Sequence, residues 1–106
     1  MLKYKRVTTP TLLGGKDNLV DMIAGMAGKN RHIVSIATNG DDLDFLRVYR
    51  DAEQILDCDC ALVKAGTGWL VMDLPLAEGQ QCKVGLYPVA NRAGTFQITI
   101  GYTEAG

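Results

Sequence analysis

Apolar and polar residues alternate with a period of two over most of the chain after residue 30. The clearest case is the segment 96–103, where Phe96, Ile98, Ile100 and Tyr102 are separated by polar or small residues. Because successive side chains of a β-strand point to opposite faces, this alternation predicts a half-buried strand. Shorter alternations predict five more strands, which contain Val34 and Ile36, Leu46 and Val48, Cys60 and Leu62, Leu70 to Leu76, and Cys82 to Leu86.

Turn-forming residues separate the predicted strands at intervals of roughly ten residues. They are Asn39-Gly40, Gly66-Thr67-Gly68, Glu78-Gly79 and Asn91-Arg92-Ala93-Gly94. Pro75 and Pro88 have no N–H group to offer a strand ladder, so we expect them at strand ends or on an edge strand. Six to eight short antiparallel strands with such turns are typical of an all-β domain, and we predict a jelly-roll-like β-sandwich.

The first thirty residues follow a different pattern. Leu2–Thr9 reads as an extended piece, and a set of apolar residues then recurs at the spacing of one helix face. These residues are Leu19, Met22, Ile23 and Met26. With Asp17 as the N-cap, they predict one short helix over about 17–27.

Length and charge restrict the possible functions. The chain has 106 residues, 11 of them basic and 12 acidic, for a net charge of −1. We predict a single domain over 1–106, with a leader over 1–30 and a strand-rich body over 31–106. The balanced charge argues against a protein that mainly binds nucleic acid or anionic lipid. Neither a secretory signal nor a membrane-spanning apolar run is visible, so we expect a protein that is not secreted.

Three cysteines and one histidine are the residues from which a metal site could be built. Cys58, Cys60, Cys82 and His32 would together offer three sulfurs and one nitrogen, so a small thiol-metal protein is one alternative. Structural zinc sites, however, use a C-x₂₋₄-C spacing on turns, whereas Cys58 and Cys60 are two residues apart in a strand pattern. We therefore expect reduced thiols, no metal and no cofactor.

Other polar groups give little sign of catalysis. His32 is the single histidine and has no nucleophile motif near it, so the chain is predicted not to be an enzyme. Asp41, Asp42 and Asp44 lack the spacing of a calcium loop and are predicted to form a solvated acidic turn.

Aromatic residues on strand faces are the candidate binding residues. Phe45, Arg47 and Tyr49 fall on one face of a predicted strand, and a basic and aromatic face of this kind is used by single-stranded nucleic-acid-binding β-barrels, a second alternative. Large aromatic side chains on the outer side of a sheet are also enriched in protein interfaces. The candidate interface residues are Tyr4, Arg47, Tyr49, Trp69 and Tyr87.

Four segments of the body carry a resemblance to a protein family. They are His32–Asn39, Leu46–Arg50, Leu74–Gln80 and Phe96–Glu104. Their strand and turn pattern resembles that of small β-sandwich proteins of bacteriophage virions, such as capsid decoration and minor head proteins, over about two thirds of the chain. The resemblance implies a non-enzymatic homo-oligomer, commonly a trimer, that is made in the host cytoplasm and decorates or stabilises a capsid.

Overall fold

Two four-stranded antiparallel sheets make up the computed structural model of the protein. The structure describes residues 2–22, 29–39, 44–60, 69–91 and 95–104. The strands are β1 (Lys3–Thr8), β2 (Asn18–Asp21), β3 (Arg31–Thr38), β4 (Asp44–Arg50), β5 (Glu53–Asp59), β6 (Leu70–Leu76), β7 (Cys82–Pro88) and β8 (Gln97–Glu104). The predicted all-β sandwich is therefore confirmed.

Strand order shows how the chain winds between the two sheets. The first sheet has the order β1-β8-β3-β6 and the second the order β2-β7-β4-β5. Consecutive strands cross between sheets except at the β4–β5 hairpin, which is the winding of an eight-stranded jelly roll. Both leader strands pair with the body of the same chain, β1 with β8 and β2 with β7.

The core lies between the sheets and consists of inward side chains of β3, β4, β6, β7 and β8 together with Leu12, Met22 and Cys60, and partly buried residues of β1, β2 and β5 pack against it. Its fully buried large residues include Leu12, Met22, Ile33, Ile36, Leu46, Val48, Leu76, Val84, Leu86, Ile98 and Ile100. In β8 and β7 the buried positions follow the predicted alternation. The aliphatic side chains and Tyr102 therefore hold the sheets together, and most of the polar residues of the same strands face outward.

Two predicted strands differ from the observed ones. The strand predicted at Cys60 and Leu62 is wrong in position, because β5 ends at Asp59 and Leu62 lies outside the described residues. In β3 the register shifts between Ile33 and Ser35, so that Ile33 replaces Val34 as the buried partner of Ile36. A bulge of this kind breaks the period of two, which is why alternation alone misassigned the face.

The predicted helix is wrong over its first half. Residues 18–21 form β2, which pairs with Leu86 to Lys83 of β7, and the remaining predicted residues from 23 onward lie outside the described part of the chain. Asn18 is buried and its side-chain amide donates to the carbonyls of Leu13 and Leu86. These long-range contacts outweigh a local helix preference that is weak over so few residues.

Two further observations concern polar residues and prolines. Asp44 is fully buried at the start of β4, so the prediction of a solvated turn is wrong for this residue; Asp41 and Asp42 lie outside the described residues. Pro75 lies on the edge strand β6 and Pro88 ends β7, as predicted.

Among the residues that the structure describes, no helix is long and apolar enough to cross a membrane.

Candidate functional site

The structure divides the five candidate interface residues between two opposite faces of the sandwich. Tyr4 and Trp69 lie on the outer side of the first sheet, and Arg47, Tyr49 and Tyr87 lie on the outer side of the second. The prediction that each set points away from the core is met, but the five residues do not form one surface.

On the first sheet, two aromatic rings meet above the middle of the face. Tyr4 is on β1 and Trp69 immediately precedes β6, at opposite edges of the sheet, yet their ring centroids are 5.5 Å apart in an edge-on arrangement. Gly101 and Ser35 follow Tyr4 in one transverse row of residues across the sheet, and Val71, two residues after Trp69, ends that row. Because Gly101 and Ser35 are small, both rings can lean inward across the sheet and touch.

Gly101 leaves the space that the Tyr4 ring occupies in this arrangement. A Cβ atom at Gly101 would lie 2.5 Å from Ser35 Oγ and 3.1 Å from Cε1 of Tyr4. The Tyr4 ring thus covers the glycine, while its own outer surface remains in solvent: Tyr4 is 60% exposed and Trp69 47% exposed. Val71, next along the same row, is 84% exposed. We call Tyr4, Ser35, Trp69, Val71 and Gly101 the aromatic face.

On the second sheet, Arg47 is the centre of a closed polar cluster. Its Nη1 donates to Asp17 Oδ1 at 3.1 Å and its Nε donates to Asp57 Oδ1 at 3.2 Å. Its guanidinium lies over the ring of Tyr87, 4.1 Å from the centroid, and the Tyr49 hydroxyl donates to Asp17 Oδ2 at 2.7 Å. We call Asp17, Arg47, Tyr49, Asp57 and Tyr87 the Arg47 cluster.

The electrostatics of the Arg47 cluster disfavour a phosphate partner. Two carboxylates share one guanidinium, so a phosphate that approached Arg47 would have to displace Asp17 or Asp57. The hydrogen bond to Asp17, together with burial, raises the pKa of the Tyr49 phenol above its ordinary value of 10. These contacts attach the segment before β2 to β4, which indicates a structural role for the side chains that suggested nucleic-acid binding.

The residues of the thiol-metal alternative are not brought together. Cys58 and Cys82 flank β4 in register with Leu46 and Arg50, which puts them four positions, roughly 13 Å, apart along the strands. His32 is on the other sheet, where it contacts Asp73. Burial raises the pKa of the Cys82 thiol to about 12 and, with Asp59, raises that of Cys58. No group of three potential metal ligands occurs within the described ranges.

Sequence reasoning missed a third polar group, at the end of the first sheet. Glu104 accepts from Lys3 Nζ at 2.6 Å and pairs with Arg31 Nη2 at 3.0 Å, beside an open cleft of about 490 Å³ that Arg31, His32 and Glu104 help to line. The hydrogen bond from Lys3 lowers the pKa of the Glu104 carboxyl below its ordinary 4.5. These residues are paired with one another, so the group fastens the ends of β1, β3 and β8.

The two outer faces differ in how far sequence signals could have revealed them. Asp17 is 30 residues from Arg47, and only the pairing of β2 with β7 brings it to β4. Gly101 lies in a regular alternation, and a glycine at the outward position of a central strand is a recognisable sign of a close approach by another group. The aromatic face was therefore the more predictable of the two.

Comparison with known proteins supports the fold. No protein-family model and no curated protein matches the sequence. Among solved structures, the nucleoplasmin-like N-terminal domain of Drosophila FKBP39 is similar over 100% of this chain and 92% of that chain, with a TM-score of 0.54 and 11% sequence identity. At this identity the likeness shows that the two chains share the β-sandwich fold.

Proposed function

We propose that the chain is a non-enzymatic interaction domain that assembles into a homo-oligomer. The observation that supports this most directly is the aromatic face. Tyr4, Trp69 and Val71 leave a large share of their apolar surface in water on one side of the first sheet. Exposed aromatic residues on a rigid sheet supply contact area at little entropic cost, which is why they are enriched at the centres of protein interfaces.

The polar groups of the described residues support the same reading. The Arg47 cluster and the Lys3–Glu104–Arg31 group are internally paired, and the pKa shifts of the thiols lower the fraction of reactive thiolate at neutral pH. The described surface therefore offers shape and apolar area more than it offers an activated nucleophile.

A native mass measurement over a range of protein concentrations tests the proposal. The wild-type chain should form one defined oligomer, and Tyr4→Ser combined with Trp69→Ser should weaken it by at least about tenfold in the assembly midpoint. Leu13→Ser is the matched control, since Leu13 is 44% exposed and its backbone is bonded to Asn18 at the start of β2, in the second sheet. A chain that stays monomeric at all concentrations would contradict the proposal.

The narrower role implied by the resemblance, decoration of a virion, stays a prediction. Its support is the jelly-roll winding, an architecture that viral capsid proteins use and that also serves unrelated functions. Co-sedimentation of the purified oligomer with capsids tests this role, and the Tyr4→Ser, Trp69→Ser variant serves as the control.

A further inference from the structure

The edge strands of the two sheets differ in how well they are protected against pairing with a further strand. On β6, Pro75 has no N–H group, and its carbonyl already accepts from Arg50 Nη1 at 3.2 Å. On β5, Ile55 is an extra residue at a register shift, and such a bulge disturbs the spacing of an edge. β2 has only four residues. Each of these features makes an edge a poor partner for an additional strand.

β1 lacks these features along the stretch that the structure describes. It contains no proline and pairs with β8 over all six of its residues without a register shift. Just after the strand, the N–H group of Thr9 donates to the carbonyl of Phe96, which follows the same register. Because backbone groups of an antiparallel strand alternate between its two sides, those of Tyr4, Arg6 and Thr8 point to the free edge. All three residues are exposed.

Basic side chains are one way to protect an edge strand, but two of the three on β1 are held within the chain. Lys3 Nζ donates to Glu104 at 2.6 Å, and Lys5 also has a partner in its own chain. Arg6 is exposed and forms no ion pair with any residue that the structure describes. It lies two positions after Tyr4, so an exposed ring and an exposed guanidinium stand on the same side of the open edge.

We infer that two copies of the chain pair through β1, as antiparallel strands related by a two-fold axis. The inference rests on the proposed homo-oligomer and specifies one of its interfaces. An axis beside Lys5 places Tyr4 of each copy opposite Arg6 of the other. Each such pair exchanges both of its N–H···O bonds through the groups that point to the free edge. The first sheets of the two copies then form one sheet, and their aromatic faces become one surface.

The side chains favour this register over its neighbours. The next register in one direction would put Arg6 opposite Arg6, and like charges that face each other directly are destabilising. The next register in the other direction would shorten the overlap of the two strands. With the axis beside Lys5, the guanidinium of Arg6 lies beside the ring of the other copy's Tyr4, where a cation–π contact stabilises the pair. Lys5 is the residue whose charge opposes this contact.

A proline on the free edge tests the contact. Arg6→Pro removes an N–H group that β8 does not use, so the fold is retained, and the assembly midpoint should rise by about tenfold or more. Arg6→Ala keeps the N–H group and should raise the midpoint only about two- to fivefold, through loss of the cation–π contact. Lys5→Thr should lower the midpoint, because it removes like charges at the axis. Native mass spectrometry measures the midpoint, and circular dichroism checks that each variant is folded.

A cross-linking experiment tests the register. Lys5→Cys places two thiols opposite each other at about 4.5 Å between Cα atoms, which is within the range of a disulfide, so air oxidation should join two copies covalently. Thr8→Cys is the matched control, because it is exposed on the same strand but lies roughly 20 Å from its counterpart in the other copy. The wild-type chain controls for the three native cysteines.

Both results are required. A midpoint that Arg6→Pro leaves unchanged would overturn the two-fold β1 contact while leaving the proposed function intact. A Lys5→Cys chain that cross-links no better than Thr8→Cys would do the same, because β1 would then pair with a different strand or with none. A chain that is monomeric at all concentrations would overturn both the contact and the proposed function.

Discussion

The two outer faces of the sandwich use similar residues in opposite ways. Each has a glycine in a central strand with another group lying over it. On the first sheet the group over Gly101 is the ring of Tyr4, whereas on the second sheet the backbone of β2 at Asn18 lies over Gly85. The first face leaves its aromatic rings in solvent, and the second face covers Tyr87 with the guanidinium of Arg47.

Exposure and charge on a strand face therefore do not by themselves indicate a binding surface. Arg47 and Tyr49 point outward as a ligand-binding pair would, but their hydrogen-bonding groups are used within the chain by Asp17 and Asp57. Trp69 points outward with its apolar area still unburied. The first face, whose apolar side chains remain exposed to solvent, is therefore the better candidate for binding.

Adding a methyl group at each glycine should give the largest difference in stability between the two faces. Gly85→Ala places a Cβ 2.0 Å from the backbone oxygen of Asn18, so β2 must move, and we expect a loss of about 3 kcal/mol or more in the free energy of unfolding. Gly101→Ala meets Ser35 Oγ, which can rotate away, so we expect about 1 kcal/mol or less. Urea denaturation of both variants measures the difference, and equal losses would contradict the contrast between the faces.

Removing one outward side chain from each face should produce a smaller effect. On the second face the loss should be in stability, and on the first face it should be in assembly. Arg47→Met takes away two ion pairs and the contact with Tyr87 from a half-buried site, which should cost about 1 to 2 kcal/mol of unfolding free energy. Trp69→Ser should cost the dilute chain less than about 1 kcal/mol while weakening assembly. Unfolding and native mass are measured for both variants. The contrast would be contradicted if Arg47→Met weakened assembly and Trp69→Ser mainly destabilised the fold.

The strands that could be predicted are those in which one face is buried without interruption. In β8, Ile98, Ile100 and Tyr102 all point into the core, and the alternation shows this directly. In β5 the adjacent apolar residues Ile55 and Leu56 lie at a register shift, so the period of two is lost. A bulge depends on the neighbouring strand, and the sequence of β5 alone does not contain it.

The rest of the candidate site depended on contacts between distant parts of the chain. Asp17 resembled a helix cap because the residues after it have helical spacing, but its carboxylate is bonded to Arg47 and Tyr49. Whether the residues after Asp17 form a helix or a strand is decided by the pairing of β2 with β7, which local helix preference does not reveal. The outward position of Tyr4 and Trp69 followed from alternation, whereas the meeting of their rings depended on the order of the strands.

Alkaline pH should weaken the second face through Tyr49. The hydrogen bond to Asp17, with burial, raises the pKa of the Tyr49 phenol above 10, so the bond stabilises the fold below pH 10 and is lost as the pH rises through the raised pKa. Tyr49→Phe lacks the bond at every pH, so the difference in Tm between wild type and variant should be largest near neutral pH and shrink above pH 10. Asp17→Asn should reduce the same alkaline loss, because the carboxylate is the charge that the phenolate would face. A wild-type and Tyr49→Phe difference that is constant from pH 8 to about 11 would show that the Arg47 cluster does not hold the segment before β2 through this bond.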